Sequence, residues 1–312
     1  MSVDDVSGDP NLIVTGGFRS VGNYAVIGHP IAQSMSPTLH NAWFADKGLG
    51  FSYVALDIPP AELVLRAPAL PFEYSGLNVT IPHKRTMLGF ADAIDADAEA
   101  AGAANIMYRD KETKAWTAGN TDGDGFIAGF EEAMGEGISG RDVLVLGAGG
   151  AARAISAALV RARVSSLVIG NRTVETAVEL GRDVGANAAI SLSGGMLEQL
   201  DVVPDLVINT LPAAAEPFFH ALDLSLLGDA AVVADINYHV RHPTLLSNAE
   251  ARGLMTIDGR GMFLWQAALS FERWLGEMPD LDIGRRILGM EGAPPVEDDE
   301  DERPTIVPGE FV

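Results

Sequence analysis

The sequence predicts an α/β protein built from two domains with a cleft between them. Short apolar runs alternate with helical stretches along most of the chain, and this alternation is typical of α/β folds. The 312 residues exceed the usual size of a single core, and 47% of them are hydrophobic, which is enough to fill two. Continuous apolar strands, such as residues 143–146, indicate a parallel sheet that is covered on both faces.

The first series of elements follows a polar, glycine-containing segment, residues 1–21, that we predict to be a flexible lead-in. Ser36 and Pro37 predict the start of a helix, with Ser36 as the N-cap and Pro37 at the first helical position. The other predicted elements are strands at 24–28, 51–58 and 76–81, helical stretches at 59–70, 83–90 and 95–102, and hairpin strands at 104–108 and 115–119.

The second series of elements follows a helix predicted over residues 122–134. Residues 262–275 form a helical stretch outside the parallel-strand pattern, and we expect it to pack back on the first domain. The chain therefore divides into a first domain, residues 22–121 with 259–290, and a second domain, residues 122–258. Residues 291–312, rich in proline and acids, are predicted to be a disordered tail. The strands of the second domain are predicted at 143–146, 167–170, 188–191, 206–209 and 232–236.

The composition excludes several classes of partner. The formal net charge is −22, and the acidic run at 297–302 accounts for only six of these charges. Nucleic acids and anionic membranes are therefore not expected to bind. The chain has no cysteine, no apolar run long enough to span a membrane and no signal-peptide pattern at its start. We therefore predict a cytoplasmic protein without disulfides or a thiolate metal site.

A glycine-rich turn indicates that the second domain binds a nucleotide. The first glycine of such a turn permits the tight bend, the second lets the backbone approach the pyrophosphate, and a third small residue lets helix and strand pack closely. The helix N-terminus then faces the phosphate charge. The second domain is therefore predicted to be an NAD(P)-binding Rossmann domain. The turn lies between the strand at 143–146 and an alanine-rich helix and consists of Gly147, Ala148, Gly149, Gly150, Ala151 and Ala152.

The end of the next strand indicates which nucleotide is bound. NAD-binding proteins commonly have an acid there that holds the ribose hydroxyls. This chain has Asn171, Arg172 and Thr173 instead, and all three can donate hydrogen bonds to a 2′-phosphate, with Arg172 supplying the charge. The sequence favours NADP, although Glu175 is an acid near the expected phosphate and leaves some use of NAD open. The alternative is that Arg172 caps a helix or points into solvent.

Lys84 and Asp122 are the candidate catalytic residues. Lys84 is one of only four lysines and follows a buried-type strand and Pro82, at a junction from which a side chain can reach into a cleft and exchange a proton. The alternative interpretation is a solvated lysine. Asp122 lies in a segment, residues 119–125, that lacks the alternating acids and the closing Glu of a calcium loop, so no metal site is predicted. The alternative for Asp122 is a helix N-cap.

Seven motifs, taken in chain order, resemble those of the shikimate dehydrogenase family and cover most of residues 23–290. They are Ser34-Met35-Ser36-Pro37 with His40-Asn41, the segment from Asn78 to Lys84, the segment from Gly102 to Asn105, Asn120-Thr121-Asp122-Gly123, the Gly147 turn, Asn171-Arg172-Thr173, and Gly259-Arg260-Gly261-Met262 with Gln266.

The resemblance implies a role for each matching residue. Lys84 and Asp122 would form the catalytic pair, with Lys84 giving a proton to the carbonyl oxygen during reduction. Ser34 and Ser36 would bind the substrate carboxylate through their hydroxyls, and Tyr238 would lie near it. The substrate's ring hydroxyls and neighbouring atoms would be held by Asn78, Thr80, Asn105, Asp122 and Gln266. Beyond the Gly147 turn and Asn171 to Thr173, the cofactor contacts would be Asn209, Thr210, Leu211, Ile236, Gly259, Gly261 and Met262.

The resemblance implies the NADP-dependent, reversible reduction of 3-dehydroshikimate to shikimate, on the route to chorismate and the aromatic amino acids, by a monomer or homodimer. Substrate would bind to the first domain and NADP to the second. Two alternatives stay open: a quinate/shikimate dehydrogenase that uses NAD or NADP, and a non-catalytic homologue that senses NADP or shikimate. Two departures are notable. Leu211-Pro212-Ala213 stands where many relatives have a Gly-Met turn, and Trp265 is similar to relatives that accept quinate.

Overall fold

Two six-stranded sheets, each covered by helices, form the framework of the protein. The computed structural model describes residues 22–239 and 243–290, together with the backbone of 13–15 and 18–20. The predicted α/β class is confirmed. The predicted tail, 291–312, lies outside the described residues.

A short antiparallel pair, β1 (Ile13–Thr15) and β2 (Phe18–Ser20), falls inside the lead-in for which no element was predicted. Strands of three residues are too short to show an alternating pattern, so no periodicity in the sequence pointed to them. The other residues of the lead-in lie outside the described part of the chain.

The first sheet is mixed, with the order β4-β3-β5-β7-β8-β6. β3 pairs in parallel with β4 and β5, whereas β7 runs antiparallel to both β5 and β8. Its elements are β3 (Asn23–Gly28), α1 (Ser36–Asp46), β4 (Ser52–Asp57), α2 (Pro60–Arg66), α3 (Leu70–Glu73), β5 (Gly76–Val79), β6 (Ala93–Ile94), α4 (Ala96–Ala101), β7 (Ile106–Arg109) and β8 (Trp116–Gly119).

Three local predictions in this region need correction. The helix predicted at 59–70 is broken by a 3-10 turn, Ala67–Ala69, that contains Pro68. The stretch predicted at 83–90 is a 3-10 helix, Thr86–Phe90. Ser36 is not the N-cap of α1, because Met35 has that position and Pro37 is the second helical residue. The backbone N–H of Ser36 instead donates to Ser34 Oγ at 3.3 Å, so the two serines adjoin at the start of the helix.

The second sheet is entirely parallel, with the order β11-β10-β9-β12-β13-β14. Its five predicted strands are confirmed to within one residue at each end, and β14 and four of the helices given below were not predicted. The elements are α5 (Asp122–Met134), β9 (Asp142–Leu146), α6 (Gly150–Arg161), β10 (Ser166–Asn171), α7 (Val174–Val184), β11 (Ala188–Ser191), β12 (Leu206–Asn209), α8 (Glu216–Ala221), β13 (Val232–Asp235), α9 (Thr244–Glu250) and β14 (Met255–Ile257), followed by α10 (Arg260–Leu275) and α11 (Leu281–Ile287).

Helices α5 and α10 cross at close range and join the two halves of the molecule. A Cβ on Gly125 would lie 2.6 Å from the backbone nitrogen of Gln266, and one on Gly129 would lie 2.7 Å from the carbonyl carbon of Gly261. Glycine is therefore required at both crossing points. α10 also buries Phe271 in the core of the first sheet, which confirms that this helix packs back on the first domain.

None of the described helices is both long and apolar enough to cross a membrane. The predicted domain boundaries, 22–121 with 259–290 and 122–258, remain a proposal that agrees with the two separate sheets.

Candidate active site

Lys84 and Asp122 meet where the loop after β5 faces the first turn of α5. Lys84 Nζ donates to Asp122 Oδ2, and the two side chains are only 15% and 6% exposed. Lys84 is thus not the solvated lysine of the alternative interpretation. Asp122 is not an N-cap either: Thr121 occupies that position, and the backbone N–H of Asp122 donates to Asn120 Oδ1 at 2.9 Å. The carboxylate is left free to face Lys84.

Asn105 fixes the orientation of the Asp122 carboxylate. Its Nδ2 donates to Asp122 Oδ1 at 2.8 Å, and its Oδ1 accepts the backbone N–H of Thr121 at 2.8 Å. Because that backbone group can only donate, the Asn105 amide cannot flip without losing both bonds. Gln266 lies within reach from α10, with its Oε1 3.4 Å from Asn105 Nδ2. Four predicted site residues, Lys84, Asn105, Asp122 and Gln266, are therefore brought together.

Asn78 lies beside this group and is almost wholly engaged by protein partners. Its Nδ2 donates to Ser270 Oγ at 2.9 Å and to the carbonyl of Asn105 at 3.3 Å, and its Oδ1 accepts the hydroxyl of Tyr53 at 2.7 Å. Both amide hydrogens are used, so a substrate contact is left to the remaining lone pair of Oδ1. The sequence analysis missed Tyr53 and Ser270, because a single polar residue in a strand or a helix carries no recognisable spacing.

Tyr238 connects the second sheet to the two serines at the start of α1. Burial raises the pKa of Tyr238 to about 12, and hydrogen bonds to the Met35 backbone and the Ser34 side chain oppose the rise. The phenol therefore stays protonated at neutral pH. Ser36, 6% exposed, bonds to the Tyr53 hydroxyl, and burial raises the pKa of that phenol well above its ordinary value. A set of neutral hydroxyls is thus assembled there.

Thr80 stands at the end of β5, between the serines and Lys84 in the chain. Its backbone N–H donates to the carbonyl of Ile27 at 2.9 Å, which ties it to β3. A Cβ on Gly28 would lie 2.5 Å from Thr80 Cγ2, so glycine at 28 is what lets Thr80 approach. Its role in substrate binding stays a prediction.

The Gly147 turn has the geometry that a dinucleotide requires. Gly147 has φ +115°, which disfavours any side chain, and a Cβ there would lie 2.3 Å from Thr210 Oγ1. Gly149 is the N-cap of the 12-residue helix α6 and Gly150 is its first residue. The N–H groups of the first turn and the helix dipole therefore point to a position where a phosphate can bind. Ala152 is fully buried, as close helix–strand packing requires.

Arg172 is well placed for an anion at the end of β10. It is exposed and forms no ion pair with any residue in the described part of the chain. Asn171 Nδ2 donates to the carbonyl of Thr173 at 2.9 Å, which shapes the turn that carries Arg172. Glu175 is also exposed, in the first turn of α7. Asn171 and Arg172 fit the adenosine end of NADP. The nearby carboxylate of Glu175 still leaves some use of NAD open.

The remaining predicted cofactor residues lie at or just after the carboxyl ends of β12 and β13, or at the start of α10. The strand order of the second sheet reverses at β9, and dinucleotides bind in the crevice at such a reversal. The catalytic pair borders this crevice: a Cβ on Gly150 would lie 3.4 Å from Lys84 Cδ. The residues of this group are Asn209, Thr210, Leu211, Ile236, Gly259, Gly261 and Met262.

Two further residues turn out to have structural partners. Trp265 donates its indole N–H to Glu132, and this hydrogen bond links α10 to α5. Asp124, in the glycine-rich string after Gly119, pairs with Arg161. In residues 22–239 and 243–290, no group of three or more His, Asp or Glu side chains is arranged to hold a metal ion.

Comparison with known proteins agrees with this geometry. Family profiles described as shikimate dehydrogenase substrate binding domain, shikimate / quinate 5-dehydrogenase and shikimate 5′-dehydrogenase C-terminal domain match residues 26–107, 131–221 and 259–288. The NADP(+) shikimate dehydrogenase of Lysinibacillus sphaericus is 37% identical over 260 residues, 82% of this chain and 93% of that one. A Cereibacter sphaeroides protein of the same name is 40% identical over 268 residues, 84% and 94% of the two chains.

A solved structure gives the same result. The shikimate 5-dehydrogenase of Thermus thermophilus in complex with NADP(H) and shikimate superposes with a TM-score of 0.74 at 29% identity, covering 86% of this chain and 99% of that one. Since the profiles match parts of both sheets and a 37% identical relative aligns with 82% of this chain, the chain belongs to the shikimate dehydrogenase family.

Proposed function

We propose that this protein is an NADP-dependent shikimate dehydrogenase that interconverts 3-dehydroshikimate and shikimate on the route to chorismate. The observation that carries the proposal is the buried Lys84–Asp122 pair, oriented by Asn105 and placed beside the Gly147 turn. Relatives named for this activity support it. A cytoplasmic location and a monomeric or homodimeric state belong to the same proposal.

Lys84 is assigned the proton transfer. During reduction, negative charge develops on the carbonyl oxygen of the substrate, and the Lys84 ammonium both stabilises that charge and gives it a proton. Asp122 accepts a hydrogen bond from Lys84 Nζ, so it holds the ammonium in place. The second oxygen of Asp122 is held by Asn105, which prevents the carboxylate from rotating away.

The hydroxyl groups at the other end of the site are assigned to the substrate carboxylate. Ser34 and Ser36 adjoin at the start of α1, and Tyr238 reaches Ser34 from the second sheet. Neutral hydroxyls can donate to a carboxylate without the cost of burying a second charge. Because an analogue without a carboxylate would leave these donors unpaired, this group gives selectivity for an acid.

NADPH, when bound, supplies a hydride from its nicotinamide ring. The residues assigned to hold it are the Gly147 turn at the pyrophosphate, Arg172 at the 2′-phosphate, and Gly261 and Met262 near the ring. The small residues at the α5–α10 crossing let α10 come close to this region. Closure of the cleft between the two sheets would exclude water from the transfer.

The direct test is a two-by-two assay of shikimate and quinate against NADP and NAD, followed by the near-ultraviolet absorbance of the reduced nucleotide. We expect the highest kcat/KM with shikimate and NADP. Comparable turnover of quinate would support the quinate/shikimate alternative. No turnover of either acid with either nucleotide would overturn the enzyme proposal in favour of the sensing homologue.

Replacing Arg172 with Ala is expected to raise KM for NADP by about tenfold or more and to leave KM for NAD nearly unchanged, because a charged hydrogen bond to a phosphate contributes about 1.5–3 kcal/mol. Arg182→Ala is the matched control, since Arg182 is 77% exposed and pairs with Asp183 on the same helix, α7. Equal effects of Arg172→Ala on both nucleotides would contradict the phosphate role.

A further inference from the structure

Asp235 is a buried carboxylate of the second sheet that the reaction described above does not use. It is the last residue of β13 and is 3% exposed. Its oxygens accept hydrogen bonds from Asn209 Nδ2 at 2.9 Å and from the backbone N–H and Nδ2 of Asn237 at 2.8 and 2.7 Å. It forms no ion pair with the residues that the structure describes. Burying a carboxylate without a cation is costly, so three donors are needed to hold it.

The two asparagines that bond to Asp235 hold both backbone polar groups of Leu211. Asn209 Oδ1 accepts the N–H of Leu211 at 2.9 Å, and Asn237 Nδ2 donates to its carbonyl at 2.9 Å. A carboxylate can only accept, so Asp235 forces Asn209 to turn its Nδ2 inward and its Oδ1 toward Leu211. The position of Leu211 therefore depends on the acceptor character of Asp235.

This network lies on one side of the reversal in strand order, and Arg172 lies on the other. Arg172 follows β10, whereas Leu211 follows β12 and Ile236 follows β13. A dinucleotide that crosses the reversal with its 2′-phosphate at Arg172 would have its nicotinamide half near the ends of β12 and β13. Ile236 is fixed by the same residues, because its N–H donates to the carbonyl of Asn209 at 3.1 Å.

We propose that Asp235 is a positioning residue for the nicotinamide half of the cofactor. It acts through Asn209 and Asn237, which set the chain after β12 and after β13. The turn after Asn209 has no glycine between 210 and 215, so every residue in it carries a side chain. The turn must therefore be held at a defined distance from the nicotinamide ring to leave room for it. The inference rests on the proposed function, because it assumes that NADP is the bound nucleotide.

An exchange of the acid and the amide tests the network without changing its shape. Asp235→Asn alone puts an amide N–H against another donor, either at Asn209 or at Asn237. Asn209→Asp alone sets two carboxylates opposite each other. In the double variant Asn209→Asp/Asp235→Asn, donor and acceptor are exchanged between the two positions, and every hydrogen bond of the network can form again.

The measurement is the dissociation constant of each variant for NADP and for 2′,5′-ADP, by calorimetry. 2′,5′-ADP carries the adenosine half of the cofactor alone, so it reports the Arg172 side. We expect each single variant to bind NADP about tenfold more weakly and 2′,5′-ADP within about twofold of wild type. The double variant is expected to recover NADP affinity to within about threefold, because the Asn209 side chain is fully buried and acts through its bonds to Asp235 and the Leu211 N–H.

Two outcomes would overturn the inference. One is an equal loss of NADP and 2′,5′-ADP affinity in Asp235→Asn, which would indicate a general loss of structure. The other is a folded double variant that does not regain NADP binding, and this outcome stays decisive if the single variants do not fold. Asp142→Asn is the matched control, because Asp142 lies at the opposite end of the same sheet, where it accepts from Ser166 Oγ at 2.7 Å.

The readout separates this inference from the proposed function. Wild-type protein that binds NADP but turns over neither shikimate nor quinate would contradict the proposed activity and leave the Asp235 network testable. Wild-type protein that is active, with an Asp235→Asn variant that binds NADP normally, would contradict only the positioning role.

Discussion

Replacing Lys84 with Met is expected to lower kcat for shikimate oxidation by about a thousandfold, because removal of a positioned acid–base group costs about 10²–10⁴ in rate. Met keeps most of the length and the apolar stem, so packing against Gly150 is preserved while the ammonium is lost. The carboxylate of Asp122 is then left buried without its cation, which also lowers the stability of the fold. Steady-state kinetics with NADP and a thermal melt measure the two effects separately.

The matched control for this substitution is Lys47→Met. Lys47 follows α1 and pairs with Glu277 at 3.3 Å, remote in the chain from the proposed chemistry. It should keep kcat within about twofold, since exposed ion pairs contribute about 0–1 kcal/mol. A Lys84→Met variant that retains kcat within a few-fold of wild type would exclude Lys84 as the proton donor.

Much of the second domain was predictable because its signals are local. Three features could be seen directly in the sequence. They are the glycine at positive φ, Gly147, the small residue in the first turn of α6, Ala152, and the continuous apolar strand β9. The predicted strands of the parallel sheet agree to within one residue for the same reason. The position of Lys84 after a strand made it a candidate, whereas its pairing with Asp122 was implied by the family resemblance.

The residues that were missed act through contacts distant in sequence. Ser270 bonds to Asn78 across 192 positions, and neither residue has a neighbour in the chain that would suggest the pairing. Asp235 lies three residues before Tyr238, but its partner Asn209, which in turn holds Leu211, belongs to another strand end. The contact between Trp265 and Glu132 was missed in the same way, because the two residues are 133 positions apart in the chain.

Replacing Asp122 with Asn is expected to lower kcat by about a hundredfold, with a smaller change in KM for NADP. If the new carbonyl faces Asn105, the amide N–H₂ meets the Lys84 ammonium, and two donors oppose each other. If the amide flips, its N–H₂ meets Asn105 Nδ2, and Asn105 cannot follow because its Oδ1 is held by the Thr121 N–H. Both orientations disturb the contacts that hold residue 122 and Lys84 in place. The loss of kcat therefore comes from misplacement of Lys84 as well as from removal of the negative charge of Asp122.

Asp124→Asn is the control that isolates this effect, since Asp124 lies in the same first turn of α5 and pairs with Arg161. Both substitutions remove one negative charge from the same helix N-terminus, so any general effect of charge on the helix is shared. Asp124→Asn should therefore match wild type within about threefold in kcat, because exposed ion pairs contribute little. If the two variants lost activity equally, the helix terminus and not the contact with Lys84 would be the cause, and the catalytic pair would have to be abandoned.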